Sequence, residues 1–165
     1  MKKETANKGF SKGYFAVIML LMLLLPIISI AIDTYYNPDM ALMALTGKWF
    51  VFWAIGVRLF TAGLRQAAKP AFTAQHIFHI NDAGSQVIVR ELGFANVCMG
   101  LIGILSILLP GWCPAAAFVG GLYMGIAGVH HIIKKPAGAN EVIAMVSDLF
   151  IFLVMAIYLY WYFVK

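Results

Sequence analysis

A chain of 165 residues that is 62% hydrophobic and only 12% charged, with a mean hydropathy of +0.87, has too little polar side chain to coat a water-soluble domain. Its net charge of +5 gathers at the ends of apolar segments, which marks membrane orientation rather than nucleic-acid binding. At roughly 20 apolar residues per bilayer crossing, the length holds four or five spans and excludes a separate soluble domain.

Residues 1–12 are polar, with Lys2, Lys3, Lys8 and Lys12. The uncharged stretch 13–32 reads as a first transmembrane helix kinked at Pro26. A basic start and the small residues Ser29 and Ala31 also fit a cleaved signal peptide; a chain that spans these residues favours the uncleaved helix. The region from Asp33 to Lys48 reads as a polar turn with Tyr35 and Tyr36 at the interface.

A second span is expected over about 49–66. It enters on Trp49, Phe50, Phe52 and Trp53, and carries Arg58 in its interior and Arg65 seven residues later on the same face. Gly56 and Gly63 share that spacing and form a small-residue seam. The segment 67–86, broken by Pro70, mixes apolar and polar residues as an interfacial linker does. It carries His76 and His79, and Asp82 to Ser85 offers N-cap chemistry for the next helix.

That third span opens on Arg90 and Glu91, passes Gly93, Asn96, Cys98, Gly100 and Gly103, and runs to Leu109. A turn at Pro110 to Pro114 leads to a fourth, glycine-rich span over 115–133, with Gly120, Gly121, Gly125 and Gly128, ending in His130, His131, Lys134 and Lys135. The fifth span, 141–163, starts at Glu141, holds Asp148 inside and ends in aromatic residues. The two cysteines, Cys98 and Cys113, form neither a redox nor a zinc motif. Nine basic residues fall on one side of this topology, against Lys48 and Lys165 on the other. The positive-inside rule then puts the N-terminus in the cytoplasm and, after five spans, the C-terminus outside.

Counting about 1.5 Å per residue from the cytoplasmic helix ends places Arg65, Glu91, His130, His131 and Glu141 near that boundary. By the same count Arg58, Asn96 and Asp148 lie about 11 to 14 Å deeper, close to the midplane. A lone charge at the bilayer centre costs at least about 2.5 kcal/mol, so Arg58 and Asp148 should be partners, with Arg65 meeting Glu91 or Glu141. Two readings stay open: the pairs only lock the bundle, or they line a pocket. Phe94, Tyr123 and Met145 could floor such a pocket. A metal site from His76, His79, Glu91 and His130 lacks any supporting spacing, and no nucleophile motif or phosphate loop appears.

In Arg90-Glu91-Leu92-Gly93-Phe94-Ala95-Asn96, taken with Gly56-Val57-Arg58-Leu59-Phe60, Gly128-Val129-His130-His131, Asn140-Glu141 and Ser147-Asp148-Leu149, the chain resembles a family of uncharacterised small bacterial membrane proteins. More distantly it is similar to the DoxX/DoxD-like membrane proteins. The resemblance covers about 49–163 and leaves the first span as an addition. It implies a four-helix core in which Glu91 opens the second core helix ahead of Gly93, Gly100 and Gly103. Some DoxX/DoxD-like proteins accompany membrane oxidoreductases that use thiols or quinones; the paired cysteines of a thiol-redox role are not present here.

The expectation is therefore an all-α integral membrane protein of the bacterial inner membrane, with five transmembrane helices, the last four forming a DoxX-like four-helix bundle. Its leading function is binding of a small amphipathic, lipid-like or quinone-like ligand on the cytoplasmic side. Arg58 supplies the cation, Asp148 the counter-charge and His130 a hydrogen bond or proton, within a polar core completed by Arg65, Glu91, Asn96 and Glu141. Alternatives are a membrane oxidoreductase or its accessory subunit with Glu91 and His130 handling protons, a small transporter, or a purely structural subunit. Membrane lipid is the expected partner; a second copy of the chain or an oxidoreductase partner stays open.

Overall fold

The computed structural model describes residues 11–76, 82–136 and 138–165. Its elements, in chain order, are α1 (Lys12–Tyr36), α2 (Leu42–Ala68), the short α3 (Pro70–His76), α4 (Ala83–Leu105), α5 (Cys113–Lys134), entered through a 3-10 turn at Pro110–Trp112, and α6 (Ala139–Val164). All but α3 are long and apolar enough to cross a bilayer, and the chain is a multi-pass, all-helical membrane protein. Asp82 caps α4 by accepting from the Ser85 N–H at 2.8 Å, and Pro70 opens α3, where its missing N–H costs nothing. His79 lies outside the described residues, as does the side chain of His76.

The connection between α1 and α2 is much shorter than the expected polar turn, because both helices extend past their charged residues to leave only 37–41 between them. Asp33 sits inside α1 and is 8% exposed. Its Oδ2 accepts from Lys48 Nζ at 2.6 Å and from Trp49 Nε1 at 2.8 Å, while Oδ1 accepts from Asn37 Nδ2 at 2.7 Å. One turn deeper, Trp53 Nε1 donates to Ser29 Oγ at 3.0 Å. Ser29 and Asp33 are one helical turn apart, as are Trp49 and Trp53, so the two helices are joined by two polar rungs on matching faces. Charge that looks like a loop signal in one dimension is neutralised across the hairpin.

Both helices contain a π-helical stretch, Leu20–Leu24 in α1 and Val51–Val57 in α2, and the two stretches face each other. In α1 the wide turn precedes Pro26: the Leu25 N–H bonds back five residues to the Leu20 carbonyl. This is how the helix accommodates the donor that proline lacks.

α2 is the hub of the bundle, touching α1, α4, α5 and α6. It is also the least apolar span, with a mean hydropathy of 1.3 against 1.7 or 1.5 for α4 and the α5 region, yet 44% of its most apolar window is buried, more than in any other span. Enclosure by other helices removes the need to be lipid-soluble. α1, expected as an addition, packs on α2 and α6 and buries Ile18 and Met22 in the common core. The Ser11 N–H, at its start, also donates to Asn140 Oδ1 in the first turn of α6 at 3.0 Å.

The closest helix pairs are α2 with α4 and α5 with α6. Between α2 and α4 the backbones themselves touch. A methyl group on Gly63 would stand 2.6 Å from the Gly93 carbonyl oxygen, and one on Gly103 would stand 2.7 Å from the Gly56 Cα. A methyl group on Gly100 would collide with the Phe60 backbone. Between α5 and α6 glycine instead receives side chains: Met155 over Gly121, Phe152 over Gly125 and Leu149 over Gly128. Gly100→Val is therefore expected to lower thermal stability in detergent by about 1 to 3 kcal/mol or to abolish folding. Gly13→Ala, with open space around it, should leave the melting temperature unchanged; equal effects of the two would contradict the backbone seam.

Candidate functional site

The long second span delivers Arg58 to the middle of the bundle just below the π-helical stretch, and the fifth delivers Asp148 opposite it. Arg58 Nη2 donates to Asp148 Oδ1 at 2.9 Å, with both side chains largely enclosed, 14% and 8% exposed. The second terminal nitrogen of the same guanidinium, Nη1, points to Met124 Sδ at 3.3 Å, and a thioether is a weak acceptor. The phenols of Tyr14 on α1 and Tyr123 on α5 lie within electrostatic reach of the pair, and the His131 ring lies within reach of Asp148.

Tyr123 also stands beside the Asn96 amide on α4. Asn96 is 2% exposed; its Nδ2 donates to Gln66 Oε1 on α2 at 2.7 Å. The polar centre thus draws on every spanning helix: Tyr14 from α1, Arg58 and Gln66 from α2, Asn96 from α4, Tyr123, Met124 and His131 from α5, and Asp148 from α6.

The structure distributes the expected site residues unevenly. Arg58, Asp148 and Asn96 lie in this centre. Glu91 and His130 do not: both are exposed on the outer surface of their helices, and among the described residues Glu91 forms no ion pair. The reason is rotational. Glu91 falls off the face of α4 that carries Gly93, Asn96 and Gly100 into the bundle, and consecutive helical residues such as His130 and His131 diverge by about 100°, so His131 takes the inward place expected for His130. Arg65 is exposed and Glu141 half-buried at the end of the bundle where α1 begins. Of the residues suggested as a pocket floor, Tyr123 joins the polar centre, Met145 is half-buried and Phe94 faces outward. Tyr14, Gln66 and Met124 had no signal in the sequence beyond their apolar surroundings.

A cavity of about 70 Å³ lies between α4 and α5, bounded by Met99, Ile102, Ala115, Ala116, Val119 and Gly120. Its wall is apolar, and Met99 is one turn from Asn96 as Gly120 is from Tyr123. It is several times the roughly 10–15 Å³ that one water requires and well short of the roughly 300 Å³ of a complete ligand pocket. Among the described residues no three of His, Cys, Asp and Glu come together as a metal site. Cys98 is exposed and Cys113 buried, both as free thiols.

A family model spans residues 12–164, from the first turn of α1 to the last of α6. The chain belongs to DUF6790, a family of unknown function. The DUF6790 match takes in α1 together with the other four spans, in agreement with the way α1 packs and supplies Tyr14. It supports the nearer of the two resemblances, to an uncharacterised family. No curated protein matches the chain, and no solved structure does.

Removing one member of the central pair leaves the other buried and charged. Arg58→Leu is expected to cost about 3 to 5 kcal/mol of stability, and the double variant Arg58→Leu with Asp148→Leu to regain most of it. Thermal unfolding in detergent measures this; additive losses would show that the two side chains do not interact.

Proposed function

We propose that this DUF6790 protein binds a small amphipathic, lipid-like ligand whose oxygen-bearing head reaches the Arg58 centre. The observation that carries the reading is the guanidinium itself: a buried arginine directs one terminal nitrogen to a carboxylate and the other to a thioether. A ligand oxygen is a stronger acceptor than sulfur and gains a charge-assisted hydrogen bond where the Met124 side chain now sits. Asp148 keeps the cation in place, and the His131 ring lies within reach of that carboxylate. A headgroup oxygen or a quinone-like carbonyl meets this requirement; the latter would fit the distant DoxX/DoxD-like resemblance.

The charge distribution favours a bacterial inner-membrane setting with the N-terminal end in the cytoplasm. Lys12, Arg65, Lys69, Arg90, Lys134 and Lys135 lie at the end where α1 begins, and Lys48 and Lys165 at the other. A second reading, a purely structural subunit, is favoured by the closed Arg58–Asp148 bond, which needs no ligand for neutrality.

The two readings part in one experiment. The full chain is purified in nanodiscs and examined by native mass spectrometry beside the folded double variant Arg58→Leu, Asp148→Leu. A retained amphiphile released by the double variant supports ligand binding. Identical ligand-free spectra from both proteins support the structural role.

A further inference from the structure

Charge in this protein lies in three layers, of which one is unbalanced. Arg58 and Asp148 neutralise each other at the centre. At the end where α1 stops, Lys48 is bonded to Asp33, Lys165 lies 4.9 Å over the Trp161 ring, and Asp39 makes the layer neutral. At the opposite end the described residues hold Lys12, Arg65, Lys69, Arg90, Lys134 and Lys135 against Asp82, Glu91 and Glu141, and the Asp82 carboxylate is taken up in capping α4. The net charge of the described residues therefore resides entirely at this end.

The seam between α2 and α4 gives that charge a shape. A methyl group on Gly93 would stand 2.7 Å from the Ala67 nitrogen, so Lys69, two residues past Ala67, and Arg90, three before Gly93, come to one level at about 1.5 Å per residue. Both are exposed, and among the described residues neither forms an ion pair. Gln66 and Asn96 bond across one side of the seam. Leu64 and Phe94 each precede a member of that pair by two residues, a turn of about 200°, and both are exposed on the other side. Phe94 is one turn deeper than Arg90 on the same face of α4. A bare apolar strip thus runs into the membrane from a cationic mouth, and backbone contact at the glycines holds the two helices at a fixed spacing.

We infer that this outer side of the α2–α4 seam is a docking surface for an anionic phospholipid, with its phosphate between Lys69 and Arg90 and an acyl chain along Leu64 and Phe94. The surface is separate from the Arg58 centre and takes its lipid independently of it. A zwitterionic headgroup carries its own cation and gains little from the pair. Glu91, exposed beside Arg90, opposes an anion there and limits its affinity.

The test titrates the full chain in neutral detergent with dioctanoyl-phosphatidylglycerol and dioctanoyl-phosphatidylcholine, which share their chains, and reads the shift in melting temperature. The anionic lipid is expected to act saturably and at lower concentration than the zwitterionic one. Lys69→Gln with Arg90→Gln should raise its half-saturating concentration roughly twentyfold, at about fivefold per cation. Glu91→Gln should lower it, and Lys165→Gln should leave it unchanged. The free headgroup, glycerophosphoglycerol, should have no saturable effect in the same range. Equal action of the two lipids, saturable or absent, overturns the anionic assignment, and equal action of the free headgroup overturns the lipid. Equal weakening by Lys165→Gln, or an unchanged response in the folded double variant, overturns the placement at the seam. If the double variant does not fold, Glu91→Gln decides, and no gain in affinity there overturns the placement.

Discussion

A guanidinium in the middle of a membrane helix has to be matched, since insertion of an unpaired charge at the bilayer centre costs at least about 2.5 kcal/mol. Arg58 meets that demand through Asp148 at 2.9 Å, and much of the architecture follows. The helix that carries it is the least apolar of the spans and the most enclosed, with the others arranged around it. Tyr14, Asn96, Tyr123 and His131, from α1, α4 and α5, gather around this one pair, and apolar side chains are left for the lipid. A bond of this kind adds little net stability over an apolar pair; its effect is to decide which faces of α2 and α6 meet.

Depth was legible in the sequence, and rotation was not. Counting residues from the helix ends is enough to put Arg58 and Asp148 at one level, because the rise per residue is constant. Glycine spacing likewise marks the α2–α4 seam, since only glycine admits backbone contact. The side chains facing inward depend on angle, where a single residue turns the face by about 100°. That is why Glu91 and His130 look equivalent to their neighbours in the sequence yet point outward in the fold. Tyr14 escapes notice for another reason, and Tyr123 is legible only as an apolar floor: an aromatic residue in a span is ordinary lipid-facing material until a polar neighbour from another helix is known.

Asp33 and Lys48 show a further limit. Each is a turn signal in its own local window, and their mutual neutralisation spans a hairpin, so no local pattern reveals that both belong to helices. The π-helical stretches are hidden more deeply still. Leu20–Leu24 is an unbroken run of leucine and methionine with nothing in its composition to distinguish a wide turn from a regular one, and only Pro26 beyond it supplies a reason for one. These wide turns shift the angular count between the two ends of a helix, which compounds the difficulty of assigning faces.

The two kinds of glycine packing divide the bundle mechanically. Backbone contact welds α2 to α4, and side chains seated over Gly121, Gly125 and Gly128 weld α5 to α6, giving two stiff halves. The Arg58–Asp148 bond runs from one half to the other and acts as a latch across the joint. The cavity lies at the seam between α4 and α5, on the other side of that joint. Ile55 seated over Gly120 and Tyr158 over Gly47 cross the joint as well, so the latch closes an interface that side-chain packing has already aligned.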